Sequence, residues 1–153
     1  MSLTDEWETP DAVYWEICRY WGVYPEYDTF ASRANTKCRS FFGLDRDTTN
    51  AFDIDWVGTA RSQGKDPIFW MNPPYSQPTM TMAIRKALDE SDAGGTTVFL
   101  LPAFVDQAWY HDLILPFAKH KIHRGRIQFV PPEGVAPSSN RYGSIHGVIR
   151  PIW

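Results

Sequence analysis

A chain of 153 residues, 43% hydrophobic and 22% charged, can build one core but not two ordinary domains, so residues 1–153 are read as a single compact domain. A formal charge of −3 excludes coating of nucleic acid by bulk electrostatics, although Lys119, His120, Lys121, His123, Arg124 and Arg126 gather positive charge within eight positions. No apolar run approaches the ~18 residues of a membrane helix, the acidic start is unlike a signal peptide, and Cys18 and Cys38 lack metal-site spacing; a cytoplasmic protein with free thiols and no metal is expected.

Taken in chain order, Thr9 suits the N-cap and Pro10 the first position of a helix carrying Val13, Ile17 and Tyr20 or Trp21 on one face and ending at Gly22. A short strand around residues 24–27, ending at Asp28, and a second at 38–42 follow. Residues 51–56 alternate apolar and acidic like a half-exposed strand, and 58–66 read as a polar loop. Ile68–Met71 suits a strand buried on both faces. Pro78 can open a helix with Met80, Ile84, Ala87 and Leu88 on its apolar stripe, closed by Gly94 and Gly95. A buried strand is predicted at 96–101, then a helix over 105–119 with Trp109, Leu113 and Phe117 aligned and Pro116 loosening its last turn. Strands at 126–130 and Ser144–Ile149 are joined by a 131–143 loop rich in Pro, Gly and Ser that carries Arg141 and Tyr142. This alternation implies an α/β fold, a mostly parallel sheet flanked by helices with an antiparallel C-terminal hairpin.

Residues 69–76, Phe-Trp-Met-Asn-Pro-Pro-Tyr-Ser, carry the chemistry. The two prolines lack N–H donors and fix φ, so strand and helix are both forbidden immediately after Asn72, which is held at the carboxyl end of a central strand where α/β sheets bind ligands. The Asn72 carboxamide oxygen and the Pro73 carbonyl are two acceptors that can converge on one –NH2 group, and Tyr75 offers a flat face to a heteroaromatic ring. A nucleobase meets both requirements. A glutamine side-chain amide meets the first.

Four stretches together resemble the small phage-type DNA N6-adenine methyltransferases: Glu6-Trp7-Glu8-Thr9-Pro10, Tyr27-Asp28-Thr29-Phe30-Ala31-Ser32 with Asn35, Lys37 and Cys38, then Asn72-Pro73-Pro74-Tyr75-Ser76, and Gly125-Arg126-Ile127-Gln128-Phe129. The resemblance implies a Rossmann-like methyltransferase fold, an S-adenosylmethionine donor, no metal, and methyl transfer to the exocyclic amine of an adenine flipped out of DNA. It places Asn72, Pro73, Pro74 and Tyr75 at the reacting base; since the same run can hold a glutamine amide, a protein-glutamine methyltransferase stays open beside it, and so does a catalytically inactive module of this fold that only binds DNA or protein. Thr9 and Pro10 would cap the donor pocket, with Asp28 and Ala31 at the donor's amino-acid end. Asp53 or Asp55, near the end of a presumed third strand, would meet its adenosine part. The Gly-rich turn of methyltransferases in general is replaced by Asp-Thr-Phe-Ala-Ser. Base selection would fall to the 131–143 loop, the 43–50 segment and the 57–66 loop. Arg124, Arg126 and Arg141 are the candidate DNA contacts. A homodimer would help so small a protein cover a palindromic site.

Overall fold

The computed structural model describes residues 7–44, 50–138 and 140–151, so Glu6, most of the 43–50 segment and Ser139 of the 131–143 loop lie outside the described residues. Helix α1 spans Asp11–Trp21 and ends at Gly22, whose φ of 66° is the left-handed geometry that glycine adopts without a Cβ clash. Its start differs from expectation: Pro10 takes the cap position, no side chain caps the helix, and the Val13 and Tyr14 N–H groups return to the Pro10 carbonyl. The Thr9 hydroxyl is engaged elsewhere.

Strands β1 (Tyr27–Asp28), β2 (Ser40–Phe41), β3 (Ile68–Met71), β4 (Thr96–Pro102), β5 (Lys119–Ile122) and β6 (Ser144–Ile149) form one sheet in the order β2-β1-β3-β4-β6-β5. The pairs β1–β2, β1–β3 and β3–β4 are parallel, whereas β6 runs against both β4 and β5. The class is therefore mixed α/β, mostly parallel with an antiparallel C-terminal pair. Because strand side chains alternate, Trp70, Val98, Leu100 and Val148 face α1 through Tyr14, Ile17 and Cys18. Phe69, Met71, Phe99, Leu101, Ile145 and Ile149 face the other way, onto helices α2 (Trp56–Ser62) and α3 (Thr79–Asp92) and onto Trp109, Leu113 and Ile114. Gly147 on β6 is dictated by that second face, since a Cβ there would sit 2.6 Å from the Phe99 ring and 2.3 Å from the Lys119 carbonyl oxygen.

Three expectations are corrected. Residues 51–56 are not a strand, and the polar stretch behind them is largely α2. The Asp55 carboxylate caps it through the Gly58 N–H at 2.8 Å, and the buried Glu90 carboxylate on α3 accepts from the Trp56 and Val57 N–H groups at 3.2 and 3.1 Å. A helix of seven residues is too short to display a periodic stripe, and its start depends on a carboxylate 33 to 34 positions away. The helix over 105–119 shrinks to residues 108–114, π-helical over Tyr110–Ile114; at its C-terminal end Pro116 has no N–H to continue it and the chain enters β5 at Lys119. The last hairpin uses β5, not 126–130. That later stretch makes a single antiparallel bridge, with Glu8 and Val130 exchanging two backbone hydrogen bonds of 2.7 Å. Among the described residues, no helix is long and apolar enough to cross a membrane.

Candidate active site

The sheet diverges between β1 and β3: β1 leads outward to β2 on one side, β3 outward to β4 on the other. Parallel sheets open a crevice at such a point, outside the carboxyl ends of the two strands. Asp28 is the last residue of β1, and Asn72 follows the last residue of β3. Asp28 pairs with Trp70, which puts Asn72 two residues, roughly 7 Å, farther along the neighbouring strand. A cavity of about 240 Å³ fills this crevice. Its walls come from Trp7, Glu8 and Thr9; from Asp28, Phe30, Asn35 and Lys37; from Trp70 and the Asn72-Pro73-Pro74-Tyr75 run; and from Phe129, Ser138 and residues 140–142. Parts of all four stretches singled out in the sequence therefore meet at one hollow.

Its polar atoms are unusual. Among the described residues, the buried side-chain nitrogen and oxygen atoms without a hydrogen-bond partner are Trp7 Nε1, Asn72 Oδ1 and Tyr75 OH, and all three residues line the cavity. Each such atom costs about 1–3 kcal/mol in a dry interior, so three around one hollow mark a site built for a ligand that supplies their partners. Asn72 is engaged by Thr9: Asn72 Nδ2 donates to Thr9 Oγ1 at 3.0 Å, leaving Oδ1 as the free acceptor. Tyr75 stands edge-on to Phe129, with ring centroids 6.3 Å apart, and burial raises its pKa, keeping the phenol neutral.

Asp28 is the buried acid of the site, only 4% exposed. Burial pushes its pKa up to about 7, against the opposing pull of the Lys37 backbone N–H at 2.9 Å, the Lys37 charge and the Phe30 N–H. The Lys37 ammonium is directed elsewhere, to Glu8 Oε1 at 2.6 Å and Asp11 Oδ1 at 2.7 Å, so it ties the N-terminal segment and the start of α1 to the loop after β1. A cation entering the cavity would ionise Asp28 and gain a buried carboxylate partner.

Of the residues singled out from sequence, the cavity wall gathers Thr9, Asp28, Asn72, Pro73, Pro74, Tyr75 and Arg141. It does not include the others. Pro10 opens α1, and Ala31 is buried with its N–H on the Phe42 carbonyl. Asp53 is exposed in a turn and Asp55 caps α2, so neither ends a strand. Arg124 and Arg126 are exposed on the 123–130 segment, with Arg126 Nη1 donating to the Asn140 carbonyl at 3.3 Å. Trp7, Glu8, Phe30, Asn35, Lys37 and Phe129 were not assigned a role from sequence, although each stands in one of the four stretches; Asn140 was singled out only as part of the 131–143 loop.

The DNA N-6-adenine-methyltransferase (Dam) family model matches residues 1–152. A protein of Escherichia phage T1 described as a DNA N-6-adenine-methyltransferase is 28% identical over 167 aligned residues, covering 99% of this chain and 65% of the phage protein. A protein of Haemophilus phage HP1 (strain HP1c1) with the same description is 29% identical over 134 residues, 86% of this chain and 70% of the relative. This chain thus spans just under two thirds of the phage T1 protein's length. No solved structure matches. With the family model running over nearly every residue, the chain belongs to the DNA N-6-adenine-methyltransferase (Dam) family.

Proposed function

We propose that this chain transfers the methyl group of S-adenosylmethionine to the exocyclic N6 amine of an adenine in DNA. The observation that carries the reading is the buried Asn72 Oδ1, an acceptor turned into the cavity at the carboxyl end of β3 and left without a partner of its own. An –NH2 group supplies that partner and keeps a second N–H for the Pro73 carbonyl; a hydroxyl has one proton to give, and a carbonyl has none. Strand order and the reversed β6 support reading the chain as one Rossmann-like methyltransferase domain.

The donor's amino-acid end carries an ammonium, and Asp28 is the buried acid that would hold it. Trp7 Nε1 is an unpartnered donor suited to an anionic or ring-nitrogen acceptor. When bound, S-adenosylmethionine supplies an electrophilic methyl carbon on a sulfonium. Asn72 accepts an N–H bond from the target amine and so raises electron density on its nitrogen, and Tyr75 presents its ring to the flipped base. Transfer of that methyl would leave a neutral thioether and an extra proton on the amine nitrogen, which the product gives to water on release, so no strong base is required. Rate then comes mainly from alignment in a dry cavity. Arg141 at the cavity wall and the exposed Arg124 and Arg126 would meet phosphate or base edges.

The test is transfer of labelled methyl from S-adenosylmethionine to unmethylated bacterial DNA, with nucleoside mass spectrometry of the digest and Asn72→Ala in parallel. Label in N6-methyladenosine, lost in the variant while its melting temperature holds, is the expected result. Absence of transfer by the wild type, or equal turnover by the variant, overturns the reading.

A further inference from the structure

We propose that Thr9 is the positioning residue that presents the Asn72 acceptor to the target amine, an inference that rests on the function proposed above. Sequence alone would spend the Thr9 hydroxyl on capping α1, but no side chain caps that helix. The hydroxyl instead accepts from Asn72 Nδ2 at 3.0 Å, across 63 positions of chain, in a pocket where Thr9 is 2% exposed. A carboxamide has two faces that differ only in which heteroatom points where, and rotation about its last bond costs little. With Thr9 accepting from nitrogen, oxygen faces the cavity. The hydroxyl also fits the reversed amide by donating to Oδ1, but that form meets an incoming amine donor to donor, so the amine selects the productive orientation and Thr9 completes it.

Thr9 is itself held from three directions. The preceding residue, Glu8, exchanges two 2.7 Å backbone bonds with Val130. The following residue, Pro10, begins α1 with its carbonyl accepting two helical N–H groups. The Lys37 ammonium grips the carboxylates of Glu8 and Asp11, on either side of the Thr9–Pro10 pair. A hydroxyl fixed this way can define the position of a neighbouring amide, which is what a reaction governed by alignment requires.

Two variants separate the hydroxyl from the shape. Thr9→Val keeps the buried volume and removes the acceptor; Thr9→Ser keeps the hydroxyl and removes the buried methyl. Methyl transfer is measured at varied DNA concentration, with melting temperatures alongside. In Thr9→Val kcat falls roughly ten- to thirtyfold, the rate equivalent of one buried hydrogen bond, while KM for DNA stays within about twofold. Thr9→Ser keeps kcat within about threefold of wild type. Wild-type kcat in Thr9→Val overturns the inference and leaves the methyltransferase reading standing, as does equal impairment of both variants, which would make the methyl's packing the cause. A wild-type protein that transfers no methyl overturns both.

Discussion

Replacing Asp28 by Asn moves stability and ligand binding in opposite directions, with a pH signature for each. The Asp28 carboxyl is pushed from its ordinary 3.8 up to about 7, chiefly by burial. The folded state therefore holds this proton more tightly than the unfolded chain does. Its contribution to stability is greatest below about pH 4, declines as the pH rises from 4 to 7, and is level above that; the displacement corresponds to a loss of up to about 4 kcal/mol. Asn carries no charge at any of these pH values and still accepts from the Lys37 N–H. Asp28→Asn is accordingly more stable than wild type at pH 8 and similar to it near pH 4. On the proposed function the donor's ammonium binds the ionised carboxylate, so wild-type affinity is expected to weaken about fivefold from pH 7 to 6 and about fiftyfold by pH 5, whereas the variant binds weakly at every pH. Thermal melts of both proteins from pH 4 to 8.5, with calorimetric titration of S-adenosylmethionine at pH 5, 6, 7 and 8, read both effects. A variant less stable than wild type at pH 8, or a wild-type affinity that stays flat between pH 5 and 7, refutes the assignment of Asp28 as a buried acid held for a cation.

Glu90→Ala removes the acceptor shared by the Trp56 and Val57 N–H groups at the buried start of α2, and a loss of about 2–4 kcal/mol is expected in urea unfolding; a loss below about 0.5 kcal/mol means that α2 does not depend on this carboxylate. His146 is buried and accepts from Trp21 Nε1 at 2.9 Å, and burial, with His123 and Lys121 nearby, lowers its pKa to about 4. Its folded pKa lies below the unfolded one, so stability present above about pH 6.5 is lost on acidification towards 4, up to about 2 kcal/mol by pH 5, and His146→Asn flattens that dependence in urea melts at pH 7 and 5. Arg124→Ala and Arg126→Ala should each reduce the salt slope of DNA binding by about one, measured by fluorescence anisotropy from 50 to 200 mM salt; unchanged slopes place the DNA elsewhere.

Local chemistry determined much of this protein. The Asn72-Pro73-Pro74-Tyr75 run after an apolar strand marked the reactive end of β3, because two prolines in succession admit neither sheet nor helix whatever surrounds them. Strands β3 and β4 are buried along most of their length and read as largely apolar runs, and α1 and α3 are long enough to show their stripes and end at or beside glycines. What tertiary structure alone decided were the elements whose partners lie far away in sequence. Strand β5, Lys-His-Lys-Ile, is a largely exposed edge without an apolar pattern, and its hydrogen bonds to β6 alone make it a strand. Helix α2 begins on the Asp55 cap and on Glu90, which reaches back from α3, and neither Asp53 nor Asp55 lines the cavity. Thr9 carries the signature of a helix cap and serves Asn72 instead, because Pro10 holds the start of α1 and a buried amide needed a partner. A hydroxyl or carboxylate can satisfy whichever backbone or side chain folding brings near, and that choice is made across the whole chain, beyond the reach of any local pattern.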